Sequence, residues 1–350
     1  MKKETLFNPF YLAFPIILGL SVIAYLFWQE FDPSIFAVLK PDWRMWSGII
    51  LAVLFLLCQN FALTQRYKLF AGRKLSWKQA FRVNMLCEFT SAATPSAVGG
   101  SSLIAVYLHK EGLSGGEGTT IMIANLFLDE LFLSLVCILS LLLFPADDLF
   151  MSHLPLDIGV QVIFITVVIV ISLWTLVLYV ALFHKAVWVA RLLTGLFSLP
   201  FLRRWKPAVE KLGSDLATSS AEVCSRSRIF WLKGFLVTAW AWCSRFLVVN
   251  ALLFAFSSGG DHFLAFIRQF VIWMILMVTP TPGGSGFGEY IFQVYYSDFF
   301  PVAGTALVVA FLWRVITYYT YLIGGACIIP HWLGGLRKKN AAPESEQKVG

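Results

Sequence analysis

Charge is what this sequence has least of. Of its 350 residues only 13% are Asp, Glu, Lys or Arg, while 58% are apolar and 16% aromatic. A soluble domain carries about 25% charged residues, so this composition excludes a water-soluble enzyme. Cysteine is also sparse, and the six thiols include no CxxC pair. Most lie inside apolar runs, as packed core thiols do, so neither a disulfide framework nor a zinc site is implied. The five histidines fall in five different segments, which excludes HExxH-type metal spacing. Gly284-Ser285-Gly286-Phe287-Gly288 follows no soluble strand and precedes no phosphate-binding lysine, so it is no nucleotide loop. The net charge of +7 comes without a nucleic-acid-binding fold, and no cofactor or metal is expected.

What is present is length of apolar sequence. Continuous stretches at 11–29, 45–63, 119–143, 158–183, 231–256 and 302–329 reach the roughly 20 residues needed to cross a bilayer. The first lacks a small-residue cleavage site and reads as a retained span. Residues 64–82 carry six basic and no acidic side chains, and the 184–233 connection has nine basic against three acidic, so both are expected in the cytoplasm. The 144–157 loop has Asp147, Asp148 and Asp157 and no Lys or Arg, so it is expected outside. Within 184–230, an amphipathic piece with Ala208, Leu212, Leu216 and Val223 on one face is preceded by Arg203, Arg204, Trp205 and Lys206. That composition suits either an interfacial helix on anionic lipid or an ordinary connection.

Two further apolar regions, 84–108 and 263–299, are interrupted by Pro and Gly. The first break reads Thr94-Pro95-Ser96-Ala97-Val98-Gly99-Gly100-Ser101 and the second Thr281-Pro282-Gly283-Gly284-Ser285. Broken backbone at membrane depth is tolerated only where protein or a cavity covers it, so each region is expected to form a re-entrant hairpin. Gly99 precedes Asp129 by 30 residues and Gly283 precedes Arg314 by 31, which suggests a duplicated unit. The charge assignments place the first hairpin between cytoplasmic loops and the second between external ones, so the repeats are expected to be inverted, as in many secondary transporters. The expected fold is all-α and polytopic: about six transmembrane helices plus two re-entrant helical hairpins in an inverted-topology repeat. One membrane domain over 1–340 is expected, with repeat one at 45–143, repeat two at 231–329, a short tail at 341–350 and both termini cytoplasmic.

Asp129, Glu130, Arg245 and Arg314 fall inside spans, and Glu88, Arg268 and Glu289 inside hairpin arms. A charge at a helix centre costs about 2.5–3.5 kcal/mol on insertion scales, so these groups should face one another around a polar interior. Asp129/Glu130 and Arg314 occupy equivalent repeat positions with opposite charge and are expected to approach each other. The expected substrate path comprises Thr94, Pro95, Gly99, Gly100, Ser101, Asp129, Glu130, Arg245, Thr281, Pro282, Gly283, Gly284, Glu289 and Arg314. Its arginines would attract an anionic headgroup.

The Pro-x-x-x-Gly-Gly element with Val106-Tyr107-Leu108 after it, and Thr281 to Glu289 with Arg314 downstream, resemble the lysylphosphatidylglycerol synthase transmembrane region, a flippase-like family. The resemblance runs from about residue 10 to 330. Members often carry Gly-Glu and then Arg where this chain has Ser101-Ser102 and Ala105, and Arg where it has Glu130. The resemblance implies movement of a charged-headgroup lipid between leaflets of the inner membrane. The lipid class stays open among phospholipid, aminoacyl-lipid and polyprenyl-phosphate. Some relatives carry a soluble aminoacyl transferase, for which about 20 residues beyond the last span leave no room, so no enzyme activity is expected. The alternative is a non-transporting scaffold for a separate lipid-synthesising enzyme. Membrane lipids are the expected partners, and nucleic acid is not.

Overall fold

The computed structural model describes residues 41–94, 99–150, 157–183, 221–257, 259–300 and 304–329, with four isolated positions besides. The span expected at 11–29, most of the 184–230 connection, Pro95 and the termini lie outside the described residues. What is described is helical throughout: α1 (Trp43–Ala71), α2 (Trp77–Ala93), α3 (Gly99–Lys110), α4 (Gly115–Leu143), α5 (Ala146–Phe150), α6 (Asp157–Phe183), α7 (Arg228–Phe256), α8 (His262–Met277), α9 (Phe287–Tyr296) and α10 (Thr305–Arg314). The helix of α10 continues through a π turn over Val315–Tyr319 and reaches Ile329. Among the described residues, five helices are long and apolar enough to cross a membrane: α1, α4, α6, α7 and the Thr305–Ile329 helix. They reproduce five of the six expected spans, and the sixth is the one outside the described residues.

Local sequence sets where these helices begin. Asp42 caps α1 by accepting from the Met45 N–H at 2.7 Å. Ser76 with Gln79 and Ser114 with Glu117 form reciprocal capping boxes at α2 and α4, each satisfying N–H groups that a helix start leaves open. Asp261 accepts from Phe263 and Leu264 to start α8.

Antiparallel α1 and α7 form the centre. Arg44 reaches the carbonyls of Phe254 and Ser257 at one end, and Arg66 meets Thr238 toward the other. Their backbones come close because Gly48 has no side chain: a Cβ there would lie 2.6 Å from that of Ala255. Small residues at such crossings are how helices associate where no hydrophobic effect drives them together. Antiparallel α2 and α3 form one hairpin, tied across by Thr90 and Tyr107 hydroxyls at 2.6 Å. A second antiparallel pair, α8 and α9, is joined by Gln269 donating to the Tyr296 hydroxyl, which donates to the Ala265 carbonyl. Helix α6 lies at the periphery, with Val162, Ile169, Val170, Leu173 and Leu176 more than half exposed. Such a face suits hydrocarbon.

The two sequence breaks fall between the paired helices, and the end of α2 touches the second break. The Gly283 N–H donates to the Thr94 carbonyl at 3.1 Å. Gly283 and Gly284 have φ of 54° and 71°, a region costly for other residues. A Cβ on Gly283 would also lie 3.0 Å from the Ala92 carbonyl oxygen.

Candidate functional site

Among the described residues, three arginine–carboxylate pairs have both partners in the interior. Arg66 on α1 grips Asp129 on α4 with two hydrogen bonds, Nη1 to Oδ1 at 2.5 Å and Nη2 to Oδ2 at 2.9 Å. Trp242 on α7 donates its indole N–H to the same carboxylate at 2.8 Å, and Thr238 supports the guanidinium at 3.1 Å. This bidentate arrangement is the strongest form of the pair. Glu88 on α2 and Arg245 on α7 form a second, at 2.5 Å. The third, Glu289 on α9 with Arg314 on α10, has Nε and Oε1 3.2 Å apart.

The third pair fixes the second hairpin turn. Arg314 donates to the Gly283 carbonyl at 3.1 Å and the Gly284 carbonyl at 2.8 Å, while Glu289 accepts from the Gly286 N–H at 2.7 Å. One buried ion pair thus satisfies backbone groups that the broken helix frees, as burial requires. Directly after Arg314 the π turn widens the helix and presents Tyr318. Its hydroxyl accepts from Ser285 at 3.0 Å and donates to the Ala92 carbonyl at 3.1 Å, with the Pro282 carbonyl at 3.2 Å. Tyr318 therefore ties the end of α2 to the second hairpin turn.

The expected approach of Asp129 to Arg314 is corrected here. Each is neutralised by another residue, Asp129 by Arg66 and Arg314 by Glu289. The equal spacing from the two Gly-rich breaks does not determine their partners, and another opposite charge claims each. What meets between the hairpins is backbone, at Thr94 and Gly283. Arg66, counted from sequence as a cytoplasmic loop charge, is also reassigned. Helix α1 runs on to Ala71, which carries Arg66 into the interior at 3% exposure. The available signal was the apolar character of Tyr67, Leu69, Phe70 and Ala71 beyond it.

Two cavities flank the second pair. One, of about 110 Å³, is bordered by Arg66, Asp129, Glu130 and Ser101. The other, of about 80 Å³, is bordered by Gln269, Gly283, Arg314 and Tyr318. Glu88, Ser91, Arg245 and Trp273 border both. Glu130 is 8% exposed, and its Oε2 has no hydrogen-bond partner among the described residues. The Arg245 guanidinium lies 5.3 Å from the Trp242 ring centre and 5.1 Å from that of Trp273. On the remaining side, the Gln59 amide oxygen, in the orientation that satisfies the network, accepts from Arg245 at 2.7 Å and from the Tyr321 hydroxyl at 3.0 Å.

Of the expected path residues, Ser101, Asp129, Glu130, Arg245, Gly283 and Arg314 border a cavity. Thr94, Pro282 and Gly284 act through backbone carbonyls at the turns, and Glu289 through its ion pair. Gly100 donates to Ser91 at 3.1 Å beside Gly99 at the start of α3, Thr281 belongs to the second turn, where the Gly284 N–H reaches its carbonyl, and Pro95 is outside the described residues. Gln59, Arg66, Glu88, Trp242, Trp273 and Tyr318 complete the site and were not among them.

The profile of the lysylphosphatidylglycerol synthase TM region matches residues 13–325. The chain is also 27% identical over 338 residues to a UPF0104 membrane protein of Archaeoglobus fulgidus, with 91% of this chain and 96% of that protein covered.

Proposed function

The chain belongs to the lysylphosphatidylglycerol synthase transmembrane-region family, and from that premise we propose that this multi-pass membrane protein is a flippase-like transporter carrying a charged-headgroup lipid between leaflets. The headgroup travels through the interior between the two hairpins while the lipid tails remain in hydrocarbon. The observation that carries this reading is the pair of cavities, each bordered by charged side chains, that share Glu88 and Arg245, together with the contact of Gly283 with Thr94 between the hairpins. Ionisable residues within transmembrane helices mark substrate pathways by default.

The hairpins are read as re-entrant, and α1–α4 and α7–α10 as the two halves of an inverted repeat. Supporting this, both halves run long helix, hairpin, long helix, and each contributes one arginine to the interior from its first long helix: Arg66 and Arg245. Rocking of one half against the other would expose the cavities to alternate sides. The proposed location is the inner membrane with both termini cytoplasmic, as the basic connections suggest. Membrane lipids are the proposed partners, and no catalytic step is proposed. The test is reconstitution of the full chain into vesicles containing a headgroup-labelled phosphatidylglycerol, with label protected from an external quencher followed over time. Loss of protection in protein-containing vesicles is expected, and protection equal to that of protein-free vesicles overturns the reading.

A further inference from the structure

Arg66 and Arg314 are committed to the protein itself. Arg66 is 3% exposed and held bidentately by Asp129, and Arg314, 5% exposed, is spent on Glu289 and two backbone carbonyls. Arg245 differs on each count. Its side chain is 21% exposed, it makes a single bond to Glu88, itself 14% exposed, and both face each cavity. Trp242 and Trp273, their ring centres 5.1 Å apart, pack together against one side of it, and Gln59 holds an edge, so contacts other than Glu88 also orient the guanidinium. A planar cation held this way presents its fork to an oxyanion.

We infer that Arg245 is the docking point for a phosphate oxyanion and that Glu88 is the internal stand-in which that oxyanion displaces. This rests on the transport reading and deepens it. Stripping a partner from a buried charge is strongly unfavourable, because the remaining charge is left uncompensated. Exchanging one anion for another keeps Arg245 paired throughout. Glu88 and Arg245 border both cavities, so a headgroup in either one can reach their bond. A phosphate that forms two bonds to the fork replaces the single carboxylate bond and leaves Glu88 facing the first cavity, whose lining also includes Asn84 and Ser91.

The test uses the full chain in detergent with dihexanoylphosphatidylglycerol as probe and inorganic phosphate as a parallel titrant. If Glu88 competes with the probe, removing it raises the competent fraction, and Glu88→Gln is expected to bind about tenfold more tightly than the natural protein. Glu88→Asp keeps the charge on a shorter arm and is expected to tighten binding about threefold, which gives a reading should Glu88→Gln not fold. Arg245→Gln is expected to lose binding. Unchanged or weaker binding by both Glu88 variants overturns the inference, as does retained binding by Arg245→Gln. Inorganic phosphate binding as tightly as the lipid would overturn a lipid source for the oxyanion. The vesicle assay separates the two levels: tighter binding without lipid exchange removes the transport reading alone, and exchange without tighter binding removes the stand-in alone.

Discussion

Tyr318 and Ser285 share a hydrogen bond of 3.0 Å, and through the same hydroxyl Tyr318 reaches the carbonyls of Ala92 and Pro282. A single phenol thereby joins the end of α2 and the second hairpin turn to the π turn of the last long helix. Tyr318→Phe removes this oxygen while keeping the ring. A loss of roughly 1–3 kcal/mol is expected from the carbonyls and hydroxyl left without a partner. Thermal unfolding in detergent measures it, and an unchanged midpoint would show that the turns are held elsewhere.

Gly283 has positive φ and no space for a side chain. Gly283→Ala is expected to destabilise by about 1–3 kcal/mol through backbone strain, and to loosen the contact with Thr94. Proteolysis at the turns should accelerate in step. Gly259, which has open space around it, is the control: Gly259→Ala should change neither.

The Arg66–Asp129 pair is structural on this account. Arg66→Met alone leaves Asp129 buried without its cation and is expected to cost about 3–5 kcal/mol, whereas Arg66→Met combined with Asp129→Leu should recover most of the loss. A double variant no more stable than the single one would contradict that assignment.

The sequence carries the breaks in the fold better than it carries the pairings. The TPSAVGGSS and TPTPGGSGFG strings mark where α2 gives way to α3 and α8 to α9, because Pro and Gly act on the local backbone. The stretch expected at 302–329 emerges as Thr305–Ile329 for the same reason: apolar length is a local property. Partners are not. Nothing near Asp129 in sequence points to Arg66 or Trp242, which arrive from α1 and α7. The π turn over Val315–Tyr319 likewise has no Pro or Gly to announce it. Its position next to Arg314 fits the tendency of such turns to occur at functional sites.

An exchange of charges distinguishes the observed pairing from the one that repeat equivalence suggested. Arg314→Asp with Asp129→Arg is expected to leave the protein unfolded or strongly destabilised, by at least about 3–5 kcal/mol, since each new charge faces a like partner in Glu289 or Arg66. Recovery of the natural melting midpoint by that double variant would show the two residues to be paired with each other.

The central claim, that Arg245 handles the headgroup of a lipid crossing the membrane, is tested most directly by lipid exchange in vesicles. In vesicles with labelled phosphatidylglycerol and the natural protein, the external quencher should come to reach label from both leaflets. In vesicles with folded Arg245→Gln at equal protein density it should reach only the outer-leaflet label. Equal exchange by the natural protein and Arg245→Gln would contradict the account.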